Sequence, residues 1–135
     1  MTELTGVVHD GSAFVAVGAA GRSARVLTSD SGAGWAPDRR TVPDDAPPFR
    51  AVFALRPPTD PDATQVLGGP PAPPPAIYAV GPAAGQDCAT AWRRDEHAWV
   101  PEPLGCHGVP TALLRLADGR IAAVSGTTLL LRRRP

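Results

Sequence analysis

The chain has no lysine and no asparagine, one methionine and one tyrosine, and aromatic residues make up only 5% of it. Lysine and asparagine share AT-rich codons, so their joint absence reads as GC-rich coding before it reads as physics. All the basic residues are therefore arginines, 13 of them against 13 acidic residues, for a formal net charge of zero. That balance lacks the basic surplus of a dedicated nucleic-acid binder and the charge excess of a disordered tail. No apolar run approaches the roughly 20 residues that a bilayer-spanning helix needs, so no membrane segment is expected. The opening MTELTG has no basic region followed by an apolar one. A signal peptide is thus not expected, and the expected location is cytoplasmic. The two cysteines, Cys88 and Cys106, are too few for a disulfide framework. Whether they pair is not decided by sequence.

Glycine and proline are abundant instead, at 14 and 17 of 135 residues, which is well above average usage. Many turns and few aromatics imply short elements. No window of a dozen residues carries a 3.6-residue apolar stripe free of glycine and proline, so helix is a poor reading. The length suits a single domain, residues 1–135.

An internal repeat organises this domain. Residues 14–35 read FVAVGAAGRSARVLTSDSGAGW and residues 77–99 read IYAVGPAAGQDCATAWRRDEHAW. A shorter third copy, IAAVSGTTLLLRRR, begins at Ile121, with Val124 in the place of Val17 and Val80. Each copy follows another apolar segment: Leu4 to Val8, Phe49 to Leu55, and Thr111 to Leu116. Asp10-Gly11 and Asp118-Gly119 sit between apolar runs, a strong short-range hairpin signal. The unit predicted is a four-stranded antiparallel meander whose last strand ends in tryptophan, Trp35 or Trp99. The first unit spans residues 4–43 and the second 49–103, interrupted by a proline-rich insertion at 56–76. A partial third unit spans 110–133. The insertion is expected to form an extended surface loop, with a short strand at Thr64 to Leu67.

Residues 28–35, TSDSGAGW, place Thr28, Asp30, Gly32 and Trp35 in the pattern S/T-x-D-x-G-x-x-W. This segment resembles the Asp-box, or BNR repeat, of sialidase-like and photosystem II assembly-factor-like β-propellers, and the upstream FVAVGAAGRSARVL is similar to the strand and glycine turn that precede the box. The resemblance implies an all-β fold of antiparallel four-stranded meanders packed as propeller blades. It implies a structural box at the turn between the third and fourth strands. There the Asp30 carboxylate is expected to accept backbone N–H groups, Gly32 to supply a positive φ, and the Trp35 ring to be buried as an anchor. In the second copy Arg94 and Glu96 fall where Asp30 and Gly32 would, Asp95 is one position off, and Trp99 alone survives.

A catalytic apparatus is not expected. Sialidases of this fold use an arginine triad, a tyrosine nucleophile with a glutamate partner, and an acidic acid/base residue. Here Tyr78 lies in an apolar strand, the glutamates are Glu3, Glu96 and Glu102, and Phe49-Arg50 resembles the family's F-R-x-P element with Val52 in place of its proline. Asp87, Cys88, Cys106 and His107 lack the paired spacing of a zinc site. No phosphate-binding glycine loop and no Ser-His-Asp set is recognisable. No metal or cofactor is therefore expected, and Arg132 to Arg134 read as solvated charges guarding an edge strand.

Two and a half units fall short of the four to eight blades of closed propellers. The expectation is an incomplete or truncated propeller acting as a non-catalytic interaction or scaffold module, which takes a protein partner or associates with itself through its open blades. The alternative is a fragment of a sialidase-like glycoside hydrolase whose catalytic residues lie in missing blades.

Overall fold

A computed structural model describes residues 2–56, 75–83, 87–116, 120–125 and 128–132 of the chain. The proline-rich stretch 57–74, the Asp118-Gly119 turn and Arg133-Arg134 lie outside the described residues, and with them the strand expected at Thr64 to Leu67. Among the described residues every regular element is a strand.

The strands form three antiparallel sheets in chain order. The first is a meander of β1 (Thr2–His9), β2 (Phe14–Ala20), β3 (Ser23–Ser29) and the two-residue β4 (Ala36–Pro37). The second runs β5 (Ala51–Leu55), β6 (Ala76–Pro82), β7 (Ala89–Arg94) and β8 (Trp99–Gly105). The third holds β9 (Ala112–Arg115), β10 (Ile121–Ser125) and β11 (Thr128–Arg132). The antiparallel meanders expected from the repeat are present. One expectation needs correction: the tryptophan does not end the fourth strand. Trp99 opens β8, and Trp35 precedes β4.

Local chemistry explains the hairpins. Between β1 and β2 the Asp10 carboxylate accepts the N–H groups of Ser12 and Ala13, both at 2.8 Å, and Gly11 takes a φ of 102°. Between β2 and β3 the two-residue turn has Gly21 at φ 64° in its first central position, where tight hairpins favour glycine. Gly18 answers a different need. A Cβ there would run into the Glu3 carbonyl oxygen, so β1 and β2 approach closely only with glycine.

The repeat register sets which face each side chain takes. Val8 pairs with Val15, and Val7 with Ala16. In the second sheet Phe53 pairs with Tyr78, and Val52 with Ala79. In the third, Leu114 pairs with Ala122, and Leu113 with Ala123. Val15, Val17 and Val26 of the first sheet bury themselves in one core with Ile77, Ala79, Val52 and Trp92 of the second. Tyr78, Val80 and Ala91 of the second sheet share another core with Leu113 and Ala123 of the third. Alternate residues of one strand thus serve successive interfaces, as strand periodicity requires. The first strands of the sheets neighbour one another, β1 against β5 and β5 against β9.

The first two sheets are also stitched by backbone. Thr41, beyond β4, pairs in parallel with Ala98, giving bonds from Thr41 N to His97 O at 3.1 Å and from Trp99 N to Thr41 O at 3.0 Å. Phe49 N donates to Gly18 O at 3.2 Å. The Phe49 ring is fully buried between the sheets, with its centroid 5.8 Å from Trp92 and 5.7 Å from Trp99.

Candidate functional site

The densest polar chemistry lies where the turns of the first sheet meet the β7–β8 turn of the second. Arg94, at the end of β7, reaches back across the interface. Its Nη1 lies 2.7 Å from Asp10 Oδ2, and its Nη2 lies 3.3 Å from Asp38 Oδ1. Its Nε donates to Asp38 Oδ2 at 3.4 Å. Arg40 adds Nη1 to Asp38 Oδ1 at 3.3 Å and donates from Nε to the Asp95 carbonyl at 2.7 Å. The indole Nε1 of Trp99 donates to Asp38 Oδ2 at 2.9 Å. The Arg94 and Asp38 side chains are almost wholly buried. Two open clefts, of about 450 and 540 Å³, flank this cluster and share Asp10, Ser12, Arg40 and Arg94.

Electrostatics fix the protonation states. Burial by itself would raise the pKa of Asp10. The backbone bonds from Ser12 and Ala13, with the Arg94 guanidinium, outweigh it and hold the value at about 2. Burial also works against the Asp38 anion, but the Trp99 N–H and Arg94 leave its pKa below the ordinary carboxylate value. Both carboxylates are thus anions at neutral pH, and both arginines are engaged. The arrangement can hold two sheets together. Within the cluster the charged side chains pair with one another.

Of the Asp-box residues Thr28 and Asp30 line the wider cleft, and two of the four, Asp30 and Trp35, depart from expectation. Gly32 has a φ of 88° in the turn after β3. Thr28 pairs with Ala36 on β4. Asp30 is exposed, and the turn donors go elsewhere: Gly32 N to Ser29 Oγ at 2.8 Å, and Ala33 N to Ser31 Oγ at 3.2 Å. Hydroxyls set one residue to either side reach these donors first. Trp35 is not a buried anchor. Its ring is 39% exposed, and its Nε1 donates to Gly32 O at 3.1 Å. It closes its own turn, because the short β4 leaves no neighbouring sheet over it. Its counterpart Trp99, in the copy that lost the box, is buried, at 2% exposed.

Asp38 and Arg94 escaped sequence reasoning as a pair. Arg94 stood out only as the replacement for a box aspartate. Asp38 carried no signal, since its buried partners Arg94 and Trp99 are 56 and 61 residues away. Asp10 was legible as a turn residue but not as an ion-pair partner.

Elsewhere, Cys88 and Cys106 form a disulfide, which answers the pairing that sequence left open. It clips the start of β7 to the end of β8. Tyr78 is buried against the third sheet. Among the described residues no three His, Cys, Asp or Glu side chains gather into a group able to hold a metal ion. Compared with known families, curated proteins and solved structures, the chain matches no family model, no curated protein and no solved structure.

Proposed function

We propose that the chain is a non-catalytic interaction or scaffold module built from propeller-type blades of the Asp-box kind. The observation that carries this reading is the saturation of the Asp10–Arg94–Asp38–Arg40 cluster, whose ionic partners satisfy one another. A site meant to turn over a substrate keeps a group poised to move a proton or attack. This cluster spends its charges on joining sheets.

The propeller-type arrangement is supported by three features: the meander order of each sheet, the face-to-face packing of successive sheets, and the lateral approach of first strand to first strand. Repeats of this kind bury a continuous core by stacking and leave their terminal faces for a cap or a partner. Leu4, Val7 and Leu114 are large apolar side chains exposed on the terminal sheets, and clustered exposed apolar groups mark interaction surfaces.

The glycosidase alternative draws no support from this chain's own residues, since Tyr78 is buried and Arg94 is fully engaged. The test has two arms. Fluorogenic sialosides and other aryl glycosides should show no turnover above buffer. Hydroxyl-radical footprinting of the chain diluted to a monomer should label Leu4, Val7 and Leu114 while sparing Val15, Val17 and Val80. Turnover that disappears in Arg94→Ala, or protection of the three exposed side chains in a dilute monomer, would overturn the reading.

A further inference from the structure

The two exposed end faces of the stack are complementary, and the geometry points to a second copy of this chain as their occupant, joined head to tail so that two copies close a six-sheet ring. This rests on the module reading above and names its partner.

The argument is one of register. Each sheet has a leading face, turned toward the next sheet, and a trailing face, turned toward the one before. Val15 and Val17 lie on the leading face of the first sheet and Tyr78 and Val80 on that of the second, each packed into a core with the following sheet. Ala79 and Ala123 occupy the trailing faces of the second and third sheets, each packed against the preceding one. Equivalent residue pairs recur at the ends of the stack, where among the described residues no sheet follows or precedes.

On the trailing face of the first sheet the pair is Val7–Ala16. Its counterparts are Val52–Ala79 and Leu113–Ala123, all four of which are buried. Val7, by contrast, is 57% exposed, while the small Ala16 beside it is buried. On the leading face of the third sheet the pair is Leu114–Ala122. Its counterparts are Val8–Val15 and Phe53–Tyr78, which pack into the two cores. Leu114 is likewise 57% exposed, beside a buried Ala122.

The free leading face therefore repeats the pattern that this chain places against a trailing face, and the free trailing face repeats its counterpart. A pairing of two first sheets with each other would instead set trailing face on trailing face, a combination not found among the described residues. Head-to-tail contacts between two copies bury all four free faces at once if the rotation closes. Two copies supply six sheets, inside the four to eight of closed propellers.

The experiment is light scattering after size exclusion on the full chain, with Val7→Arg and Leu114→Arg variants and an equimolar mixture of the two. Circular dichroism on each sample checks the strand content. The wild type should run at twice the 13.9 kDa chain mass. Each single variant should fall to the monomer mass with unchanged β-signal, because each spoils both contacts of a two-copy ring. The mixture should recover part of the dimer, since one of its two contacts joins an unaltered leading face to an unaltered trailing face. A monomeric wild type overturns the proposal, and so does a dimer that survives Leu114→Arg. A ladder of masses without an end overturns closure. None of these outcomes touches the module reading, which fails instead on glycoside turnover or on protection of the exposed side chains in the dilute monomer. A variant that loses its β-signal is replaced by Val7→Thr or Leu114→Thr, for which the same fall in dimer fraction is expected, and an unchanged fraction overturns the proposal.

Discussion

The indole Nε1 of Trp99 donates to Asp38 Oδ2 at 2.9 Å, a bond that ties the first residue of β8 to the segment leaving the first sheet. The same carboxylate holds Arg94. Removing it leaves the Trp99 N–H without its acceptor and the buried Arg94 guanidinium with Asp10 as its one remaining carboxylate. Breaking one partner of a buried ion pair costs about 3–5 kcal/mol, so Asp38→Ala should fall in that range by urea denaturation. Trp99→Phe keeps most of the ring and loses one bond to a charged acceptor, at about 1.5–3 kcal/mol. Two variants with equal midpoints would show that the ring, and not the carboxylate, carries the contact.

The acid limb of stability should report the same cluster. Asp10 has a folded pKa of about 2, below its ordinary 3.8, and Asp38 is also lowered. A depressed carboxylate stabilises the fold above its unfolded pKa, and the gain is lost as pH falls through the folded value. The chain should therefore hold its full stability above about pH 4 and lose it progressively toward pH 2. Asp10→Asn should flatten that slope while lowering the plateau. Thermal midpoints measured from pH 7 to pH 2 check this, and a parallel slope in the variant would remove Asp10 from the account.

The Asp-box turn makes a contrary pair of predictions. Ser29 Oγ accepts the Gly32 N–H from a buried position, so Ser29→Ala should cost about 1 kcal/mol. Asp30→Ala, on an exposed side chain, should stay within about 0.5 kcal/mol. Trp35→Ala should cost less than about 1 kcal/mol, against about 3–5 kcal/mol for Trp99→Ala. Acrylamide quenching of single-tryptophan variants should find Trp35 accessible and Trp99 shielded.

How far these features could be read in advance depended on distance along the chain. The hairpins were legible because Asp10-Gly11 and the valine-alanine alternation act over a few residues. The three-sheet order followed from the repeat, since copies of one unit fold alike. Trp35 misled, because its motif predicts an anchor and only the shortness of β4 denies it a surface. The Asp38–Arg94–Trp99 junction was out of reach, because no periodicity links residues that meet across an interface.

The Cys88–Cys106 bond yields the last prediction. It links residues 18 apart, flanking β7 and β8, and cross-links of such loops contribute about 3 kcal/mol, chiefly by restricting the unfolded chain. Reduction by dithiothreitol should lower the urea midpoint by a corresponding amount, and Cys88→Ala with Cys106→Ala should match it. The effect should also be unequal across the sheets. The segment after Cys106 meets the third sheet through Ser125 Oγ donating to the His107 carbonyl, and is pinned ahead of β7 in the second by Gly108 N donating to Asp87 O at 2.6 Å. The first two sheets keep the Thr41–Ala98 pairing and the Asp38 cluster, which the disulfide does not touch. Hydrogen exchange after reduction should therefore rise in β9 and β10 well before it rises in β2 and β6. A uniform rise would mean that the three sheets unfold as one unit and that the clip acts on all of them equally.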